Sequence, residues 1–83
     1  MPTNRAEVIQ ALQLIFDDVF LDPPRLHPDL TAREVPEWDS QLHITLLLQV
    51  EDRFRIQFRV GEAEATTNIG EFADLILRRL SRE

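Results

Sequence analysis

The sequence has no cysteine and only two glycines among its 83 residues. Without cysteine there is neither a disulfide framework nor a thiolate metal site, and a reducing compartment is permitted. Apolar runs of about eighteen residues are also missing, and the N-terminal residues lack the basic and apolar regions of a signal peptide. We therefore expect a cytoplasmic protein without membrane insertion.

Positive charge and catalytic side chains are both scarce. The chain has nine basic and fifteen acidic residues, which gives a formal net charge of −6. This charge disfavours binding to nucleic acid. The two histidines, His27 and His43, lie in a proline-rich stretch and on a predicted helix, without a recognisable nucleophile or metal-ligand motif around them. The sequence thus predicts a protein that is not an enzyme, holds no metal and has no nucleic-acid partner.

Helical periodicity organises most of the chain. Apolar residues recur at three- and four-residue spacings from Asn4 to Phe20, and Asn4 with Glu7 forms a capping pair at the start. The stretch from Ser40 to Phe54 has no proline or glycine and too many apolar residues for one narrow stripe. We expect it to be a central and largely covered helix. A last helix follows Asn68, which caps it together with Glu71.

The remaining segments are irregular. Four prolines between Leu21 and Trp38 predict a long loop, which we expect to be anchored on the core by Leu26, Leu30 and Val35. Residues 56–60 alternate like a strand but have no partner strand, so an extended connector is expected, then a short helical turn around 62–65. The predicted fold is all-α: one monomeric domain over 1–83, with three long helices, one short helix and a long loop between helices one and two.

The segment Val35-Pro36-Glu37-Trp38-Asp39-Ser40 delivers an Asp-Ser pair to the start of the most hydrophobic helix. A serine there presents its hydroxyl beside unpaired backbone N–H groups and the positive end of the helix dipole, where a phosphodiester is stabilised. Taken alone, such a pair is most often only a helix cap.

Nearly the whole chain resembles the acyl carrier protein family. That family has an Asp-Ser-Leu at the start of helix two, then apolar positions, an acidic doublet and a phenylalanine. The matching residues here are Asp39-Ser40, Ile44, Leu46, Leu47, Val50, Glu51-Asp52 and Phe54. Val35-Pro36 with Trp38-Asp39-Ser40 and His43 is similar to the more specific Val-Pro-Gly-Trp-Asp-Ser-Leu pattern of stand-alone bacterial carriers.

By this resemblance Ser40 would receive 4′-phosphopantetheine from coenzyme A through a separate phosphopantetheinyl transferase. Asp39 would help the transferase and its metal ion to position the serine. The thiol of the arm would hold an acyl or aminoacyl group as a thioester. Partners would be an acyl- or aminoacyl-loading ligase and condensing or acyl-transferring enzymes of a fatty-acid-like, polyketide or other specialised pathway.

Two further sets of residues are implied. Those expected to dock partners are Gln41, His43, Glu51 and Asp52. Those expected to line an acyl pocket, each also suited to an ordinary bundle core, are Leu46, Val50, Phe58, Ala63 and Phe72.

Departures from the family pattern keep other hypotheses open. Gln41 stands where the family has leucine, which agrees with a non-catalytic helical adaptor that keeps the carrier fold, is not phosphopantetheinylated and uses Asp39 and Ser40 purely as a cap. Arg53, Arg55 and Arg59 also place positive charge just beyond Glu51-Asp52, so the acidic docking surface that is usual in the family is less negative here. A third hypothesis is a small hydrolase with Ser40 as nucleophile and His43 as base.

Overall fold

Three α-helices carry most of the chain between residues 2 and 81, the range that the computed structural model describes. They are α1 (Arg5–Val19), α2 (Ser40–Phe54) and α3 (Ile69–Ser81), and a 3-10 helix at Ala32–Glu34 lies in the loop between α1 and α2. No strand occurs within residues 2–81. The all-α prediction with a long first loop is confirmed.

The helix starts are built from the predicted capping residues. Glu7 N–H donates to Asn4 Oδ1 at 2.9 Å, and Glu71 N–H donates to Asn68 Oδ1 at 2.8 Å. The reciprocal bond differs from a capping box, because the Glu7 carboxylate accepts from Thr3, one residue before the cap. Both helices therefore begin where a short polar side chain satisfies a free N–H group.

The core is one cluster with residues from all three α-helices and from the loops. The predicted loop anchors Leu26, Leu30 and Val35 are buried in it. From α1 it takes Val8, Leu12, Ile15 and Phe16, from α2 Leu46, Val50 and Phe54, and from α3 Ile69, Phe72, Ala73, Leu75 and Ile76. The spacing of these residues places one apolar face of each helix on a shared interior.

The long loop is tied to α3 by its backbone. Ile69 N–H donates to Leu30 O and Gly70 N–H to Pro28 O, both at 2.9 Å. A Cβ on Gly70 would lie 3.2 Å from Pro28 O and 3.1 Å from Arg5 Nη1. A side chain at residue 70 would press on the loop where the loop passes over the start of the helix.

The expectation that α2 is largely covered is wrong. Leu46, Val50 and Phe54 are buried, but Ile44 and Leu48 are 61% and 62% exposed. The neighbouring elements cover only one side of the helix, so successive residues at 100° spacing alternate between core and surface. An apolar stripe on α2 is therefore left open to solvent.

The segment after α2 has no regular secondary structure over residues 56–59 and then forms consecutive turns over residues 60–65. Where a short helix was predicted, the Ala65 N–H to Gly61 O bond closes one turn at 3.1 Å and Thr66 N–H to Ala63 O closes the next at 3.2 Å, and Gly61 has φ +79°. The short helix of this fold is the 3-10 helix in the first loop instead. An ion pair between Glu62 and Arg79 fastens these turns to α3.

Several carboxylates contribute to stability through hydrogen bonds. Hydrogen bonds from arginine side chains hold the pKa of the Glu62 and Asp74 carboxyl groups below its ordinary value. For Glu7 and Glu34 the pKa is also lowered, chiefly by hydrogen bonds from backbone N–H groups. A carboxylate whose pKa is lower in the folded chain than in the unfolded chain stabilises the fold above the unfolded pKa. That stabilisation is lost as pH falls through the folded pKa.

We therefore expect the free energy of unfolding to fall as pH drops below about 4.5, measured by urea unfolding across the acid range. Protonation at low pH also relieves the repulsion among the negative charges of this acidic chain, which raises the free energy of unfolding. This effect is the smaller one, because the charges are spread over the surface and screened by salt. The Glu62→Gln variant should be less stable than the parent at pH 7, and the difference should shrink as pH falls through the folded pKa of Glu62. A stability difference that persists unchanged at acid pH would contradict this assignment.

Candidate functional site

Ser40 is the first residue of α2, and its side chain is exposed. Asp39 precedes it in extended backbone and caps the helix: Asp39 Oδ1 accepts from Leu42 N–H at 2.8 Å, and Asp39 O accepts from His43 N–H at 2.9 Å. Because Asp39 performs the capping, no side-chain hydrogen bond within residues 2–81 engages the Ser40 hydroxyl. It is presented to solvent at the positive end of the helix dipole.

The loop that delivers Ser40 is anchored to the end of α1. The Glu37 carboxylate accepts from Leu21 N–H at 2.7 Å and from Asp22 N–H at 3.0 Å. Trp38 N–H donates to Val35 O at 3.0 Å and closes the turn. Hydrogen bonds to the end of α1 therefore fix the loop that carries Ser40.

Trp38 packs against the core. Its ring meets Phe16 edge-on at 5.2 Å between centroids and Phe20 edge-on at 5.9 Å, and those two phenylalanines stack at 4.9 Å. Edge-to-face contacts of this kind add to the stabilisation from buried area. This packing leaves the indole N–H directed at α2, where it can donate a hydrogen bond.

His43 receives that indole N–H. Trp38 Nε1 donates to His43 Nδ1 at 3.1 Å, and His43 Nε2 lies 3.4 Å from Glu64 Oε2. Since Nδ1 accepts, the neutral ring carries its proton on Nε2, which faces the Glu64 carboxylate. Both ring nitrogens are thus directed at partners other than Ser40, and the geometry gives no support to a serine hydrolase.

Two cavities flank this histidine. An open cavity of about 360 Å³ lies beside the serine and is lined by Ala32, Trp38, Asp39, Ser40, His43, Ile44 and Glu64. A more enclosed inner cavity of about 240 Å³ is lined by Leu30, Ala32, Trp38, His43, Ala63, Glu64, Thr66, Thr67, Asn68, Ile69 and Phe72. They share a wall made of Ala32, Trp38, His43 and Glu64.

The residues expected to line an acyl pocket are only partly brought together. Ala63 and Phe72 line the inner cavity, and Phe58 contacts Phe72 with 5.8 Å between ring centroids. Leu46 and Val50 have no exposed surface and lie in the core. Glu64 was not anticipated, because a single glutamate in an acidic chain gives no sequence signal of its position beside α2.

The residues expected to dock partners differ in how far they are exposed. Gln41 and Asp52 are exposed on α2, and His43 is half-buried. The half-buried Glu51 accepts from Phe58 N–H at 2.9 Å, so its carboxylate holds the connector against α2. None of the helices within residues 2–81 has the length and apolar character of a membrane span.

Taken together, a helical bundle with a long first loop and a presented Asp-Ser pair defines a small carrier-type domain. The chain is similar to the solution NMR structure of holo acyl carrier protein from Geobacter metallireducens, with 35% identity and a TM-score of 0.82 over 99% of this chain and 90% of that chain. No family model matches, and no curated protein matches either. The chain belongs to the acyl carrier protein family, and this similarity supports a carrier role.

Proposed function

We propose that this chain is an acyl carrier protein that is modified on Ser40 with 4′-phosphopantetheine and delivers a thioester-bound acyl or aminoacyl group to partner enzymes. The observation that carries the proposal is the exposed Ser40 hydroxyl at the first position of α2, directly after a capping Asp39. The similar protein from Geobacter metallireducens is itself described as holo.

The surroundings of Ser40 fit a phosphodiester. The first N–H groups of a helix have no intrahelical partner, and they lie beside the positive end of the dipole. The open cavity next to the serine has the largely apolar Trp38 and Ile44 side chains as well as polar groups along its wall. A 4′-phosphopantetheine arm on Ser40 would supply the thiol that holds the cargo.

Asp39 has a second task in this proposal. Its Oδ1 is engaged by Leu42 N–H, while the side chain as a whole is exposed. The remaining oxygen is available to a transferase and its metal ion, which would bring the coenzyme A phosphate to Ser40 Oγ. The cap also holds the carboxylate in place relative to the serine.

Partner enzymes would meet the exposed side of α2. Gln41 and Asp52 lie there with the apolar Ile44 and Leu48 between them. We propose this surface, together with His43 and Glu51, for docking the phosphopantetheinyl transferase, a loading ligase and condensing or acyl-transferring enzymes. The chain itself acts as the carrier in a fatty-acid-like, polyketide or other specialised pathway.

The decisive experiment is intact-protein mass spectrometry after incubation with coenzyme A, magnesium and a broad-specificity phosphopantetheinyl transferase. We expect one phosphopantetheine group per chain, mapped to Ser40 by fragmentation. Absence of the group, also with transferases of the native host, would favour the unmodified adaptor. The Gln41→Leu variant then tests whether the glutamine is the cause, since it restores the residue that the family carries after the serine.

A further inference from the structure

Glu37 joins the loop that carries Ser40 to the end of α1 through both oxygens of its carboxylate. Oε2 accepts from Leu21 N–H at 2.7 Å, and Oε1 accepts from Asp22 N–H at 3.0 Å. Leu21 and Asp22 directly follow Phe20, the residue that caps the end of α1. We call this pair of hydrogen bonds the Glu37 clamp. Hydrogen bonds to an ionised carboxylate are stronger than those between neutral groups, and here both oxygens are engaged.

The clamp is coupled to the serine by further hydrogen bonds. Glu37 O accepts from Asp39 N–H at 3.0 Å, so one residue contacts the end of α1 with its side chain and Asp39 with its carbonyl. Asp39 Oδ1 in turn accepts from Leu42 N–H at 2.8 Å and caps the helix that begins at Ser40. A continuous series of hydrogen bonds therefore runs from the end of α1 to the first turn of α2.

Trp38 provides a second attachment to α1, of different chemistry. Its ring packs on Phe16 and Phe20, with 5.2 Å and 5.9 Å between ring centroids. Hydrophobic packing is non-directional, whereas hydrogen bonds fix both a distance and an angle. Packing alone would leave the loop free to turn about the indole, and the clamp removes that freedom.

The clamp does not follow from the sequence pattern that the segment resembles. In the Val-Pro-Gly-Trp-Asp-Ser-Leu pattern, glycine stands where this chain has Glu37. Glycine has no side chain to bind the end of α1, and its backbone is the most flexible of any residue. The order that the clamp gives to the loop is therefore an addition to that pattern.

We infer that Glu37 is a positioning residue for the modification of Ser40, because the clamp holds Asp39 and Ser40 in the orientation that a phosphopantetheinyl transferase binds. This inference rests on the proposed function. In the transfer, Ser40 Oγ bonds to the phosphorus that bears the pantetheine. The bond from that phosphorus to the adenosine bisphosphate half of coenzyme A breaks, and the serine proton is released to solvent. Glu37 acts before these changes, since a loop that is already ordered need not be ordered on docking.

The test measures transfer of phosphopantetheine from coenzyme A by a broad-specificity transferase with magnesium, at varied concentrations of the unmodified chain. We expect Glu37→Ala to raise the KM for the chain about three- to tenfold, the net value of roughly one hydrogen bond. Glu37→Gln keeps one acceptor oxygen and should raise the KM less. The kcat should stay within about twofold of the parent, because the docked transferase holds the serine itself.

Removal of a donor tests the clamp from its other side. Leu21→Pro deletes the Leu21 N–H group and leaves the carboxylate in place, and the Leu21 side chain is 97% exposed. Phe20 has ψ 143°, in the range that a residue before proline adopts. We expect Leu21→Pro to raise the KM about two- to fourfold. It should add nothing to Glu37→Ala, because both changes remove the same hydrogen bond.

Two further variants separate positioning from charge and from stability. Asp18→Asn removes a negative charge from an exposed side chain near the end of α1. Glu7→Gln removes an acceptor for Thr3 at the opposite end of α1. We expect both variants to keep the KM of the parent. Amide hydrogen exchange by NMR should show faster exchange at Leu21 and Asp22 in the Glu37→Ala chain, about fivefold or more.

The outcomes distinguish the positioning role from the function on which it rests. An equal KM with and without the Glu37 side chain overturns the positioning role and leaves the carrier function intact. A raised KM for Glu37→Ala with an unchanged KM for Leu21→Pro also overturns it, since the transferase would then contact the carboxylate directly. So does an equal rise for Glu7→Gln, which would assign the effect to stability. A chain that takes up no phosphopantetheine contradicts the proposed function itself.

Discussion

Replacing Ser40 with alanine should abolish attachment of phosphopantetheine completely while leaving the fold intact. The hydroxyl oxygen is the atom that would form the phosphodiester, and alanine offers no substitute for it. Asp39 provides the helix cap, and alanine is the strongest helix former, so we expect the free energy of unfolding to change by less than about 0.5 kcal/mol. Intact mass and urea unfolding measure the two effects independently.

The chain supplies its own matched control for this substitution. Ser81 is the only other serine, and its hydroxyl donates to Arg78 O at the end of α3. The Ser81→Ala variant should accept one phosphopantetheine group like the parent. The Asp39→Ala variant should cost about 1 kcal/mol through loss of the cap and slow loading as well. Phosphopantetheine found on the Ser40→Ala protein would contradict the assignment of the attachment point.

Replacing Phe16 with alanine should have the largest effect on stability. Phe16 has no exposed surface, stacks on Phe20 and supports Trp38. Truncating a buried phenylalanine costs about 3–5 kcal/mol, a large share of the 4–12 kcal/mol or so expected for a domain of this size. Urea unfolding followed by Trp38 emission would report the loss at the residue that the phenylalanine supports.

Two further variants keep the Phe16 prediction testable if Phe16→Ala fails to fold. Phe16→Leu retains most of the apolar volume and should give a folded protein with a smaller loss. Leu14→Ala changes the same helix at a position that is 56% exposed and should stay within about 0.5 kcal/mol of the parent. Similar losses for Leu14→Ala and Phe16→Ala would show that the aromatic cluster does not support the site as described.

Local chemistry accounts for what was predictable in the fold. The helix predicted over Ser40 to Phe54 is α2 with the same bounds, because an Asp cap, the absence of proline and glycine, and the apolar density all act within the segment itself. The Asn4 and Asn68 caps also formed as predicted. Such signals involve residues three or four apart, so they can be identified without knowing what packs against the helix.

The incorrect expectations concern relations between segments. Ile44 and Leu48 were expected to be covered, yet they are exposed, because coverage depends on where α1 and the connectors lie. Glu51 also accepts a hydrogen bond from Phe58 N–H, a contact that the sequence did not signal, and its role in docking stays a prediction. The turn after Gly61 resembled a helix in sequence but is too short to propagate one against the cost of nucleation.

The sequence by itself determined the all-α class, the helix starts and the presentation of Ser40 after Asp39, since each follows from periodicity and from capping between near neighbours. The Asp-Ser pair within the layout of the whole chain also carried the likeness to acyl carrier proteins. Only the tertiary structure decided that Trp38 holds His43, that Glu64 meets His43 at the boundary of two cavities, and that Leu46 and Val50 are core residues. The physical reason is distance along the chain: His43 and Glu64 meet only after packing has brought α2 and the last turns together.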